Sequence, residues 1–340
     1  MNIFLLDKPK AYESQYLKDM KDGLVKRIIN GVGEGKKNTL SNAAKNILLP
    51  NWNSATPDTR NIERLLIAEP EELIQLNEKL MDALRKLCFG KAPTKELLLK
   101  IFNYEGIFDD SSKKRAFELS KNIGTQTCCY CNRQYTFTVE HTHEKKDKKG
   151  NIIKSGAKNN KDRIARPAFD HWFPKSEYPL LSLSLYNLIP SCHICNSSAK
   201  GATLVNLTEY IHPYVHRPGH PDIKFKAIPS IDSPQKWTIS IERPKNSAED
   251  KTISLFRLDE IYKLHDQLEV KDIMDFKDNY PDGYISDMMK KLKEEQIADS
   301  LTKKDIFRML FGIEYDEDKV LLRPLGKMKR DLIDELLRNE

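Results

Sequence analysis

The sequence predicts an α+β protein: a mostly helical chain with a small β-containing centre tied together by cysteines. Three observations carry this. Apolar residues recur at spacings of three and four through residues 11–123 and again toward the C-terminus, the period of amphipathic helices. Short stretches rich in β-formers, "QYTFTV", "ARPAFDHWF" and "KWTISIE", fall in or just after the middle of the chain. Four of the six cysteines form two C-x-x-C pairs that bracket that middle.

In chain order, "NIERLLIAEPEELIQLNEKLMDALRKLCFG" places Leu73, Leu76, Leu80 and Leu84 on one helical face and stops at Gly90. "TKELLLKIF" and "KKRAFELSKNIG" continue the helical pattern, with Gly124 as a helix end. These stripes read as core, and no chemistry is evident before residue 124. "QYTFTV" alternates and reads as a strand. Residues 141–163 then carry eight Lys or Arg against three acids and almost nothing apolar. They form a hairpin tip or insertion, either a solvated loop or a basic arm for a phosphate backbone. "ARPAFDHWF" reads as a strand, "LSLSLYNLIPSC" as a loop and second strand, and "CNSSAKGATL" as the start of a short helix. Further on, "KWTISIE" reads as a strand. "TISLFRLDEIYKLHDQLEVKDIMDF", "ISDMMKKLKEEQ" and "KMKRDLIDELLRNE" read as helices. The expected division is a helical region 1–123, a core 124–225, and a mainly helical region 226–340 with a short β element.

Composition sets outer bounds. The 340 residues allow one large domain or two to three smaller ones. Lys and Arg exceed Asp and Glu by 56 − 50 = 6, which permits a nucleic-acid partner and fits a plain solvated surface equally well. "MNIFLLDKPK" has too short an apolar run for a secretion signal, and no window approaches a membrane span. The expectation is a cytoplasmic protein with no membrane partner, in which thiols stay reduced.

In such a compartment the pairs Cys128–Cys131 and Cys192–Cys195 read as metal ligands before disulfides, with a redox pair as the alternative. A two-residue gap lets both thiolates of a knuckle reach one ion, and two knuckles complete a closed, tetrahedral structural zinc site. Cys129 is out of register for it, and Cys88 falls on a helical stripe as a core residue. His193, between two ligands, is a surface residue by default. His141 and His143 lie in the polar insertion and are weak metal candidates.

Between and just after the knuckles lie Asp170-His171, Asn187, Asn196 directly after Cys195, and Lys200 four residues later, on the same face of a helix starting near Cys195. The order D-H, then N, then C-x-x-C-N resembles the HNH endonucleases with their ββα-metal motif, over about a hundred residues from Cys128 to roughly Pro213. The string "DHWFPKSEYPLLSLSLYNLIPSCHICNSSAKG" resembles one subgroup, the HNH partners of ATPases in bacterial anti-phage systems, the Septu type among them. "IHPYV" and "LFRLDEIYKLH" also resemble the flanks of such proteins.

The resemblance implies an endonuclease hydrolysing phosphodiester bonds of nucleic acid, DNA ahead of RNA, and a possible ATPase partner. It implies that His171 is the general base, suited by an ordinary pKa near neutrality. Asp170 and Asn196 would be oxygen ligands of a catalytic Mg²⁺ or Mn²⁺, Asn187 would tie the loop between the strands and so aim His171, and Lys200 would contact a flanking phosphate. Asn196 stands where the family name expects a final His, an HNN form. An inactive zinc-stabilised nucleic-acid-binding or adaptor module is the competing function. Neighbouring strand residues point to opposite faces, so Asp170 and His171 can serve one phosphate only if the strand twists or ends there. Trp172, Phe173 and Pro174 are expected to end it.

Overall fold

The computed structural model describes residues 4–87, 90–110, 114–142, 161–216, 223–231, 233, 236–279, 283–294 and 302–337. Contacts group the chain into two compact units. The helical unit comprises Asp7–Thr125 and Thr136–Pro190; the cysteine unit comprises Met1–Leu6, Gln126–Tyr135 and Ser191–Glu340. Both units are discontinuous in sequence, so their borders differ from the expected division at 123/124 and 225/226. Among the described residues no helix is long and apolar enough to cross a membrane.

The helical unit begins with α1 (Glu13–Asn30), which buries every fourth residue from Tyr16 through Met20 and Leu24 to Ile28. After α2 (Asn42–Leu48) and α3 (Arg60–Ile67) comes α4 (Pro70–Arg85). Pro70 sits in the first turn of α4, where its missing N–H leaves no gap in the ladder. The expected stripe Leu73, Leu76, Leu80 and Leu84 is buried. The helix ends at Arg85, short of Gly90, and Cys88 lies outside the described residues. Three short helices follow: α5 (Lys95–Ile101), α6 (Tyr104–Ile107) and α7 (Arg115–Ile123). The side chains of Thr94 and Asn103 cap α5 and α6. Gly124 ends α7 with φ 71°, the left-handed cap expected of it.

Strands β1 (Val139–Thr142) and β2 (Lys161–Ala165) pair antiparallel and form the base of a hairpin. The insertion between them, with His143 and most of the expected basic arm, lies outside the described residues. The strand expected over 134–139 starts only at Val139. Tyr135 makes an isolated bridge to Thr127, and Tyr135, Phe137 and Val139 stay 40–50% exposed.

Strands β3 (Ala168–His171) and β4 (Leu188–Ser191) pair with each other. The loop joining them is buried throughout residues 179–187, so its polar groups need partners inside the protein. Tyr16 Oη donates to the Leu183 carbonyl, Ser182 Oγ to the Phe102 carbonyl and Ser184 Oγ to the Leu65 carbonyl. Side chains and carbonyls of α1, α3 and the end of α5 therefore grip this loop.

In the cysteine unit, β5 (Lys224–Pro229) pairs antiparallel with β6 (Trp237–Glu242), with Phe225 opposite Ile241 and Ala227 opposite Ile239. The β6 strand was expected; its partner was not. The helical pattern over 252–276 is broken into α8 (Ala248–Leu255), α9 (Leu258–Lys263), a π-turn (Asp266–Val270) and α10 (Lys271–Asn279). The first break falls at Arg257, which takes φ 53°, outside helical space. Beyond lie α11 (Tyr284–Glu294), α12 (Lys303–Phe311), a 3₁₀ segment (Glu317–Leu322) and α13 (Gly326–Leu337). The unexpected α12 opens with a capping box between Thr302 and Asp305.

Candidate functional site

In the cysteine unit, Cys128, Cys131, Cys192 and Cys195 come together with all four sulfurs within 4.8 Å of one another, each thiol buried. Sγ of Cys131 and Sγ of Cys192 lie 3.9 Å apart. A disulfide needs about 2 Å, whereas thiolates at about 2.3 Å from a tetrahedral ion stand about 3.8 Å apart. The cluster thus fits a four-coordinate metal such as zinc. Cys129 is buried beside it and takes no part. Burial pushes the Cys128 thiol up, while its neighbours, Cys128 first, push Cys131 and Cys192 down. A divalent cation among the four sulfurs would favour the thiolate at each of them.

Local backbone bonds shape each knuckle. Cys195 N–H points at Cys192 Sγ at 3.5 Å, and Asn196 N–H donates to the Cys192 carbonyl at 3.0 Å. The short helix expected after Cys195 is a π-turn over Ile194–Lys200, closed by Gly201 N–H on the Asn196 carbonyl. The first knuckle is anchored from behind: Tyr262 Oη donates to the Cys131 carbonyl at 2.7 Å. Asn132, fully buried with φ 45°, sends Nδ2 to Thr127 Oγ1 and to the Val320 and Arg323 carbonyls, and its Oδ1 accepts from Lys327 N–H. Two residues after Cys131, Arg133 Nε donates to Nε2 of His265, whose other ring nitrogen meets Glu269.

In the helical unit, β3 ends at His171 and the chain turns there. Trp172 and Phe173 are 2% and 1% exposed, their rings packed edge to face at 4.8 Å, so they anchor the turn in the core. Asn187 is fully buried and uses its whole amide. Oδ1 accepts from Phe173 N–H at 2.7 Å, and Nδ2 donates to the carbonyls of Phe173 and Leu181 at 3.1 and 2.9 Å. Its own carbonyl accepts from Trp172 N–H. One side chain thus ties the turn after β3 to the loop before β4.

That loop carries Ser182, whose carbonyl oxygen lies 3.0 Å from His171 Nε2. A carbonyl accepts and cannot donate, so Nε2 carries the proton and the lone pair of the neutral imidazole sits on Nδ1. The ring is partly buried and lies against Tyr104 of α6, centroids 4.5 Å apart at 74°. Burial, then the Asp109 carboxylate, holds the Tyr104 phenol well above its ordinary pKa, so it stays neutral. Asp170 is 2% exposed and, one residue back along β3, belongs to the opposite face of the pleat.

The expected site residues therefore fall into two sets. Asp170, His171 and Asn187 share the β3–β4 element of the helical unit. Asn196, Lys200 and the four cysteines belong to the cysteine unit. Asn196 is partly exposed, whereas Lys200, expected to reach a phosphate, is 2% exposed and already engaged. His193 is exposed as expected, with Nδ1 3.3 Å from Ser197 Oγ. Sequence reasoning missed Ser182 and Tyr104 beside His171, and Asn132 behind the knuckle. Only Asn132 left a trace, as an Asn directly after a C-x-x-C turn, where a left-handed residue fits. No protein-family model, curated protein or solved structure matches the chain.

Proposed function

We propose that this chain is a metal-dependent endonuclease of the HNH type, built on a structural zinc site and hydrolysing phosphodiester bonds of nucleic acid. The observation that supports this most directly is the state of His171. Its Nε2–H is committed to the Ser182 carbonyl, so the lone pair on Nδ1 suits it to take a proton from an attacking water. Asn187 holds the two backbone segments that set this geometry. A histidine kept in one tautomer by a buried carbonyl, at the end of a strand followed by a turn, has the features a general base requires.

By the resemblance, Asp170 and Asn196 would be the carboxylate and amide-oxygen donors to Mg²⁺ or Mn²⁺; Asp170 is 2% exposed and already engaged within the protein. When bound, such an ion supplies charge stabilisation at the phosphate and the leaving 3′ oxygen. Lys200, which the resemblance places on a flanking phosphate, is buried and already partnered, so it would have to leave those partners to reach one. The resemblance of the string from Asp170 to Gly201 supports the rest: a nuclease effector of an anti-phage system, acting with an ATPase partner.

The test is divalent-dependent cleavage of plasmid DNA and of total RNA by the full chain beside His171→Ala, alone and with a copurifying ATPase. Cutting by the wild type and loss of at least about a hundredfold in the variant is the expected result. Equal cutting by both, or none with any divalent ion or partner, leaves the competing function: an inactive, zinc-stabilised adaptor or nucleic-acid-binding module.

A further inference from the structure

The region before residue 124 gives no chemical signal in the sequence, yet part of it touches the imidazole of His171. Tyr104 and Phe108 stand four apart at the start and C-terminal cap of α6, on one face of that helix. Phe169 and His171 stand two apart on β3, on one face of that strand. The two pairs meet in register. Tyr104 packs against His171 at 4.5 Å and 74°, and Phe108 packs against Phe169 at 5.5 Å and 81°. Tyr104 and Phe108 are in contact with each other at 5.3 Å. From its other surroundings, Lys175 Nζ lies 5.3 Å from the centre of the Tyr104 ring and is ion-paired with Glu105, the next residue of α6.

We infer that Tyr104 is a positioning residue for His171, its aromatic ring fixing the plane of the imidazole that the Ser182 carbonyl fixes at one nitrogen. This rests on the nuclease function proposed above for His171. A single N–H···O bond sets a distance and a broad direction, but leaves the ring free to tip about the bond. An aromatic ring in edge-to-face contact removes that freedom. Helix and strand cannot slide to release it, because Phe108 and Phe169 lock the same two elements one step along. Tyr104 does not touch the reacting atoms; it acts through His171.

The experiment compares the full chain with Tyr104→Phe, Tyr104→Leu and Tyr104→Met, all checked for folding by thermal melts. Leu and Met keep apolar volume and lose the flat ring; Phe keeps the ring. Misplacing a catalytic group by about 1 Å costs on the order of a hundredfold. Tyr104→Leu is therefore expected to lower kcat by about tenfold to a hundredfold with KM within about twofold, while Tyr104→Phe stays within about threefold of wild type.

The second readout is ¹⁵N-histidine NMR, with the His171 signals assigned by their loss in His171→Ala. Wild type and Tyr104→Phe are expected to show one tautomer with the proton on Nε2; Tyr104→Leu and Tyr104→Met should show a second tautomer or exchange broadening. If the chain cuts nothing, the nuclease function fails, and the NMR comparison still decides whether Tyr104 holds the ring. His171 signals unchanged in the folded Leu or Met variant overturn the inference, whatever happens to kcat. A Phe variant as impaired as Leu also overturns it, since the ring would then not be the holding group.

Discussion

Replacing Asn132 by alanine should loosen the attachment of the first cysteine knuckle to the C-terminal part of its unit. Alanine keeps the two backbone bonds at this position, from its N–H to the Cys128 carbonyl and from Leu325 N–H to its carbonyl. It loses everything the side chain does. Nδ2 has two protons for three acceptors, Thr127 Oγ1, the Val320 carbonyl and the Arg323 carbonyl, at 2.9, 3.2 and 3.0 Å. Oδ1 accepts from Lys327 N–H at 3.2 Å, one of the first-turn donors of α13 that have no partner inside their own helix. Counting two donated bonds and one accepted bond at about 1 kcal/mol each gives about 3 kcal/mol. Alanine at φ 45° adds about 1 kcal/mol, because the left-handed region crowds its Cβ.

The total of about 4 kcal/mol is a large part of the stability of an ordinary domain, about 5–15 kcal/mol. For a unit of this size it should lower Tm by roughly 8–16 °C. Thermal and urea melts of the full chain with zinc in excess measure it, with Asn132→Gly as the control that restores the backbone freedom and recovers about 1 kcal/mol. Should Asn132→Ala fall less than about 2 °C below wild type, these buried bonds do not hold the C-terminal segment to the knuckle, and the account of the unit is wrong.

Further outcomes follow from the same geometry. Cys192→Ser removes one of four converging sulfurs, so it should abolish tight zinc retention and the cooperative melt of the cysteine unit. His171→Ala should bind zinc and melt like wild type, and removing magnesium should stop cleavage without lowering Tm; zinc content by mass spectrometry and circular dichroism check all three. The helical unit should also weaken in acid. Lys10, then Lys8, hold the Glu69 carboxyl below its ordinary 4.5, and a carboxyl held low in the fold stabilises above its ordinary pKa and stops doing so as pH falls through the folded value. The Tm gap between wild type and Glu69→Gln should therefore be present near neutrality and close below about pH 4.5; a gap that widens in acid contradicts the assignment.

What could be read from the sequence was whatever chemistry forces into short-range spacing. A metal needs two thiolates within one turn of chain, so the C-x-x-C pairs announced the four-sulfur cluster although sixty-odd residues part them. A helix needs its apolar residues three and four apart, so the stripe of α4 was visible residue by residue. β5 was missed although "KFKAIP" alternates, because two of its residues are lysines and its value lies in pairing with β6. The break at Arg257 was missed because an arginine carries no mark of a left-handed backbone. The two units were missed because each is assembled from pieces distant in sequence.

The surroundings of His171 show the same limit in its sharpest form. The atom that decides its tautomer is a backbone carbonyl, at Ser182, and every residue has one. What singles out this carbonyl is that the Ser182 hydroxyl proton is shared between the carbonyls of Phe102 and Pro179 while Asn187 holds the neighbouring Leu181. The first of those partners ends α5, two residues before Tyr104, so one short stretch of the helical region braces both the carbonyl beside the imidazole and the ring against it. A segment with no catalytic residue type can therefore set the state of one that has it. It follows that residues 124–225 taken alone lack Tyr104 and Phe102, and with them part of what holds the His171 ring in place.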